Sequence, residues 1–409
     1  MDRTELEAKG YLVTPGFIDV HAHLREPGFE DSETIASGAR AALRGGFTTI
    51  CAMPNTEPAI DSPGLVAEVI ARARAGGAAR VLPIATITRA RAGRELADLV
   101  ELSAAGAVAF SDDGAPVDDA RLFRHALEYM RTKDLLLIEH AQDTQLSAKG
   151  VMNEGVVSAR LGLPGIPNAA EETAVARDIA IAELTGARLH LTHISTRGAI
   201  ASIRDAKARG LRITCDVTPH HLSMTDDWVA GSRVFAWERE GHGREAPLAT
   251  PFDSSTKVNP PLRSLSDVRA LWDGLLDGTV DAIATDHAPH ASIRKDVEFD
   301  QAAFGISGLE TALSLVLAGV NAGWCDRDTA IRALTTGPAH VLGISVRDDD
   351  WIAIDPDAEW TVTAESLASK GKNTPLLGRA LRGQVVYAVV GGEARYEGGL
   401  RGATPVGSR

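Results

Sequence analysis

The residues best suited to chemistry stand in short polar clusters, each following an apolar run: His21-Ala22-His23-Leu24-Arg25, Ser111-Asp112-Asp113, His140, His193, and Asp286-His287 with His290. Histidines at i and i+2 at a strand end project to one side, so His21 and His23 can reach one cation at the ~2.0–2.1 Å of a zinc–nitrogen bond. An HxH pair alone is a modest signal, because single histidines more often serve structure. Four histidines and two carboxylates at five strand ends are too many for one four-coordinate zinc. They suit two metals about 3.5–4 Å apart, bridged by a carboxylate and a hydroxide. Such a pair lowers the pKa of water from ~15.7 towards neutrality and creates hydroxide where free hydroxide is scarce.

The elements that must position these groups are legible in the hydrophobic pattern. Eight apolar runs recur at 16–20, 47–52, 81–85, 107–111, 135–139, 188–192, 211–217 and 280–285. Most are continuous rather than alternating, as expected for parallel strands covered on both faces. Segments of helical period lie between them, including 33–44, 63–75, 171–185 and 266–277. Ser62 before Pro63 reads as an N-cap with proline at the first helical position, and Gly45, Gly76, Gly186, Gly210 and Gly278 mark helix ends. Strands alternating with helices predict a (β/α)8 barrel over 12–345, whose catalytic groups belong at the C-terminal strand ends. Residues 231–256 break the rhythm as an inserted loop before the eighth strand, read as a solvated excursion or a lid. After about 345 the pattern changes to short strands with turns, so 1–11 and 346–409 are expected to form a small β-sandwich-like appendage.

Composition narrows the function classes. The 409 residues carry 42 basic and 55 acidic side chains, a formal charge of −13 that repels nucleic acid and anionic membranes. An anionic substrate therefore needs its own arginine or lysine. Cys51, Cys215 and Cys325 are far apart and form no CxxC pair, which points away from disulfides and thiolate zinc sites and fits a reducing, cytoplasmic setting. Neither an export signal nor an apolar run of membrane-spanning length is visible.

GFIDVHAHLREPG at 16–28, MPNTEP at 53–58, AFSDDG at 109–114, EH at 139–140, THIST at 192–196, TPHHL at 218–222, KVNPPLR at 257–263, ATDHAPH at 284–290 and FGISGLET at 304–311 together resemble the bacterial class I dihydroorotases of the amidohydrolase superfamily. The resemblance implies reversible cyclisation of N-carbamoyl-L-aspartate to L-dihydroorotate in pyrimidine synthesis, by a metal-bridged hydroxide on two zinc ions per subunit. By the same resemblance His21, His23 and Asp286 hold one metal, His140 and His193 the other, and Asp113 bridges them. Many relatives bridge with a carboxylated lysine; here the fourth strand has Val108 and Ala109, and Asp112, the competitor to Asp113, would point the opposite way along an extended chain. Asp286 would also carry the proton from water to the departing nitrogen. Arg25, Asn55 and His290 would bind the substrate carboxylate, His23 would also contact the substrate, and Asn259 with the main chain of Phe304-Gly305 would read the ring amide edges.

Among the other histidines, His190 reads as a hydrogen-bonded core residue, His220 and His221 as site-facing but not ligating, and His125, His242 and His340 as structural or solvated. Relatives begin with some forty more residues, so either the start lies upstream of this sequence or the N-terminal half of the appendage is shortened here. The resemblance leaves open a homodimer and a complex with aspartate transcarbamoylase. Rival readings are another cyclic amidohydrolase (hydantoinase, dihydropyrimidinase or allantoinase), opposed by Arg25 and by the lack of a lysine in the fourth strand, and a non-catalytic scaffold for aspartate transcarbamoylase, opposed by the complete ligand set.

Overall fold

The fold was analysed in a computed structural model, which describes residues 1–239 and 250–399. Strands β1 (Leu12–Pro15), β2 (Phe17–Ala22), β3 (Phe47–Ala52), β4 (Arg80–Ala85), β5 (Ala109–Phe110), β6 (Leu136–Glu139), β7 (Met152–Asn153), β8 (Gly165–Ile166), β9 (Arg188–Leu191), β10 (Ile213–Val217), β11 (Ala282–Ile283), β12 (Trp351–Thr361), β13 (Ala380–Val390) and β14 (Glu393–Glu397) follow one another along the chain. Eight of them form one parallel sheet in the order β11-β10-β9-β6-β5-β4-β3-β2. A parallel bridge from Ala22 to His287, with the His23 amide donating to the His287 carbonyl at 2.8 Å, joins the outer strands and closes the barrel. The eight apolar runs thus became the eight barrel strands.

Their continuous hydrophobicity has a direct cause in packing. Ile18, Val20, Cys51, Met53, Ile84, Ala109, Leu136, Ile138, Ala282 and Ala284 fill the barrel interior. Alternate residues, among them Phe17, Phe47, Ile50, Leu137, Leu189, Val217 and Ile283, face the surrounding helices. The helices stop where glycine permits a left-handed residue, at Gly46 and Gly77, one position later than expected, and at Gly186 and Gly278. Ser62 caps Pro63–Gly76 by accepting from the Leu65 amide.

The appendage is an antiparallel sheet in the order β1-β12-β13-β14. Residues 12–15, expected at the head of the barrel, belong to this sheet: Leu12 pairs with Ile354 and Pro15 with Trp351. Only Gly16 separates β1 from β2, and its amide bonds the Asp350 carbonyl, so the chain passes directly from one sheet into the other. Residues 2–8 add an N-terminal helix, Arg3–Ala8, capped by Asp2. Within 231–256, the described parts contain short 3-10 turns at Ala236–Arg239 and Ser254–Thr256. The centre of that expected loop, 240–249 with His242, lies outside the described residues, as does 400–409 of the appendage. Among the described residues no helix is long and apolar enough to cross a membrane.

Candidate metal centre

Every expected ligand sits at or just beyond the C-terminal end of a barrel strand. His21 lies in β2 and His23 just past it; Asp113 follows β5, His140 β6, His193 β9 and Asp286 β11. All six are at most 7% exposed. His21 Nε2 and His23 Nε2 are 3.3 Å apart, and Asp286 Oδ1 is 3.5 Å from the first and 3.1 Å from the second. Asp113 Oδ1 stands 3.6 Å from His21 Nε2, 3.5 Å from His140 Nδ1 and 3.6 Å from His193 Nε2, while its Oδ2 is 3.5 Å from His23 Nε2.

Two donors bound to one tetrahedral zinc at ~2.05 Å stand about 3.3 Å apart, so these separations suit ligands that share an ion. Asp113 belongs to both groups capable of holding a metal, His21-His23-Asp113 and Asp113-His140-His193. Its Oδ1 is buried without a hydrogen-bond partner among the described residues, a need that a cation would satisfy. Electrostatics point the same way. Burial disfavours a charged His21, yet the carboxylates of Asp113 and Asp286 push its pKa up to about 9. Burial likewise disfavours charged Asp113 and Asp286, but the surrounding imidazoles hold both below the usual carboxylate range. The pocket is built for positive charge between the carboxylates.

The outer nitrogens of three imidazoles are already committed. His21 Nδ1 meets Thr192 Oγ1 at 2.8 Å, His23 Nδ1 meets Asn55 Oδ1 at 2.8 Å and His140 Nε2 meets Gln142 Oε1 at 2.9 Å. Each bond fixes a ring orientation and directs the other nitrogen inward. Asp112 points away, as alternation requires. Its Oδ1 accepts from the amides of Ile87 and Thr88, and its Oδ2 from the Thr88 hydroxyl, so it anchors the loop after β4.

Arg25 stands at the cleft. Its Nε donates to the Pro289 carbonyl at 3.1 Å, and its Nη2 lies 3.3 Å from His290 Nε2. Among the described residues no carboxylate pairs with this guanidinium. Asn55, having spent Oδ1 on His23, keeps its amide hydrogens for a further acceptor.

A family model described as dihydro-orotase-like matches residues 10–199. A dihydroorotase from Anaeromyxobacter dehalogenans is 50% identical over 404 residues, covering 97% of this chain and 89% of its own. One from Pelotomaculum thermopropionicum is 50% identical over 394 residues, covering 95% and 87%. The chain belongs to the dihydroorotase family. Among solved structures, an L-hydantoinase from Arthrobacter aurescens superimposes with a TM-score of 0.79 at 23% identity, covering 95% of this chain and 86% of that one. At that identity the likeness establishes the shared fold.

The remaining substrate residues expected for a dihydroorotase are placed unevenly. Asn259 Nδ2 lies 3.4 Å from His140 Nε2, and its Oδ1 is buried with no hydrogen-bond partner among the described residues, free to accept from a ring N–H. His290 is beside Arg25, but its Nε2 is 2.8 Å from the Phe304 carbonyl; burial and the Arg25 charge push its pKa down to about 3, so it acts as a neutral imidazole. The Gly305 amide is already spent on the Lys257 carbonyl at 2.9 Å. Only glycine fits there: φ is +141°, and a Cβ would lie 2.7 Å from the Ala288 carbonyl oxygen. The Gly305 carbonyl is taken by Lys295 Nζ and Asn373 Nδ2, both at 3.0 Å, and the Phe304 carbonyl by His290, so of the 304–305 pair the Phe304 amide is left to meet a ring edge.

His190 is the core histidine expected, held by Thr214 and Asp216, and His221 is held by Thr218 and the Pro260 carbonyl. His125 and His340 are exposed. Sequence reasoning missed Thr192, Gln142, Asp216 and Arg91, whose Nη2 donates to the Asp113 carbonyl. The available signal was a carboxylate inside an apolar run, Asp216 in 211–217, because a buried charge in a strand must find partners.

Proposed function

We propose that this chain is a dihydroorotase that interconverts N-carbamoyl-L-aspartate and L-dihydroorotate, with water lost on ring closure, using two zinc ions per subunit. His21, His23 and Asp286 would hold one ion, His140 and His193 the other, and Asp113 would bridge. When bound, such a pair lowers the pKa of water and polarises the scissile carbonyl. Arg25 and Asn55 grip the ring carboxylate, with His290 as a neutral neighbour, and fix the ring against the metal centre. Asn259 Oδ1 accepts from a ring N–H. In ring opening Asp286 takes up the proton of the attacking water and returns it to the departing ring nitrogen; in closure it works in reverse.

The observation that carries this reading is the Arg25 guanidinium beside the histidine and aspartate cluster, which no carboxylate among the described residues pairs. A neutral hydantoin or dihydrouracil ring has no charge to offer it, and leaving a cation in a cleft without an anionic partner is costly. The test is turnover of L-dihydroorotate and N-carbamoyl-L-aspartate by zinc-loaded protein, with dihydrouracil as the neutral comparator. Dihydroorotate should be strongly preferred. Equal turnover of dihydrouracil would replace this reading with a hydantoinase, and zinc-replete protein inert in both directions would favour the scaffold. Sizing the protein alone and with aspartate transcarbamoylase reads out the homodimer and the complex.

A further inference from the structure

Asp216 lies near the end of β10, fully buried, and belongs to no ligand set described above. Its Oδ2 is 2.7 Å from His190 Nε2 and 2.8 Å from Thr192 Oγ1, and its Oδ1 accepts from the His193 amide at 2.7 Å. Thr192 Oγ1 in turn meets His21 Nδ1 at 2.8 Å. One carboxylate thereby touches the two halves of the centre, through Thr192 to His21 and through the main chain to His193.

Proton counting gives these contacts a direction. An ionised carboxylate can only accept, and a threonine hydroxyl has one hydrogen. If that hydrogen goes to Asp216, the Thr192 oxygen is left as an acceptor facing His21, so Nδ1 must carry the imidazole hydrogen. The lone pair is then on Nε2, the atom that faces His23, Asp113 and Asp286. His190 cannot intervene from the other side, because its Nδ1 is engaged with Thr214 Oγ1 at 2.8 Å and its Nε2 donates to Asp216. At His193 the carboxylate acts on the backbone. This residue has φ +41°, a left-handed conformation unfavourable for histidine, and the Asp216 bond to its amide helps hold it there.

We infer that Asp216 is a positioning residue for both metal subsites: through Thr192 it sets the tautomer of His21, and through the main chain it holds His193 in place. This rests on the reading of His21 and His193 as metal ligands. Outer partners of this type typically change metal affinity by about 10- to 100-fold.

The test is zinc affinity measured by chelator competition on the full chain, with the melting temperature of the zinc-free protein recorded alongside. Thr192→Val keeps the shape but removes the acceptor, and should weaken one of the two zinc equivalents by about 10- to 100-fold while zinc-free melting shifts by only a few degrees. Thr192→Ser should restore wild-type affinity. Asp216→Asn places an amide among groups that need an acceptor and should weaken both equivalents. Wild-type affinity for both equivalents in Thr192→Val, beside a wild type that binds two zinc ions, would overturn this inference alone. A wild type that holds no zinc would overturn the metal reading, and this inference with it.

Discussion

Replacing Arg25 by methionine removes the guanidinium and keeps much of the apolar stem. In the structure this group has one main-chain partner, the Pro289 carbonyl, and a neutral imidazole beside it, and no carboxylate among the described residues is in direct contact with it. Breaking a buried ion pair costs about 3–5 kcal/mol. Arg25 is only partly buried, so solvent screening reduces this to about 2–4 kcal/mol. At 1.36 kcal/mol per tenfold, kcat/KM for dihydroorotate should fall roughly 30- to 1,000-fold. The assay is steady-state ring opening of dihydroorotate and of dihydrouracil by both proteins at equal zinc content. The loss should be confined to the charged ring, since dihydrouracil makes no use of the guanidinium. A loss under about tenfold for dihydroorotate, or an equal loss on both rings, would refute the assignment of Arg25 to the carboxylate.

Three further outcomes are expected. Asp113→Ala should abolish binding of two metal equivalents, whereas Asp112→Ala should keep them and instead lower the melting temperature, because Asp112 serves Ile87 and Thr88; elemental analysis with thermal unfolding separates the two. Asp286→Asn should lose at least ~10²-fold in both reaction directions with zinc retained, as measured by initial rates and metal content. Lys295 is buried with its ammonium on the carbonyls of Ala303 and Gly305, and burial pushes its pKa down to about 7 from an ordinary 10.5. Between those values the unfolded chain holds a proton that the folded chain has lost, so stability rises with pH by up to ~1.4 kcal/mol per unit. Lys295→Met should remove that slope, and denaturant unfolding curves of the two proteins that stay parallel from pH 7 to 10 would disprove it.

The barrel was legible because its strands are buried on both faces, which writes an uninterrupted apolar run into the sequence. Runs such as 47–52 and 280–285 needed no tertiary information to be found, even where only Ala282 and Ile283 keep strand pairing. The candidate ligands were legible for a related reason: a polar residue directly after such a run must emerge at one barrel face. Alternation set Asp112 and Asp113 on opposite sides of the strand, and the family resemblance named Asp113 as the inward one. What stayed hidden depends on contacts distant in sequence. Leu12–Pro15 reads as a plain extended segment, and only pairing with residues 351–354 assigns it to the appendage. The Gly305 amide looked available to a ligand until the fold brought the Lys257 carbonyl within 2.9 Å.

The backbone at the site explains why some substitutions report on chemistry and others would not. Arg25, His193 and Asp286 all have positive φ, at +61°, +41° and +43°, a conformation that costs of order 1–3 kcal/mol for an ordinary side chain. Three such residues at three strand ends mean that the surrounding hydrogen bonds, rather than local preference, fix where these groups point. The His23 and Gly308 contacts of His287, next to Asp286, belong to that scaffold. A substitution at Asp286 therefore changes the ease of the turn as well as the carboxylate. Asparagine tolerates the left-handed region as aspartate does, whereas alanine does not. Asp286→Asn thus holds the backbone constant and exposes the proton-carrying role, while the loss measured for Asp286→Ala would mix that role with displacement of the loop that bears it.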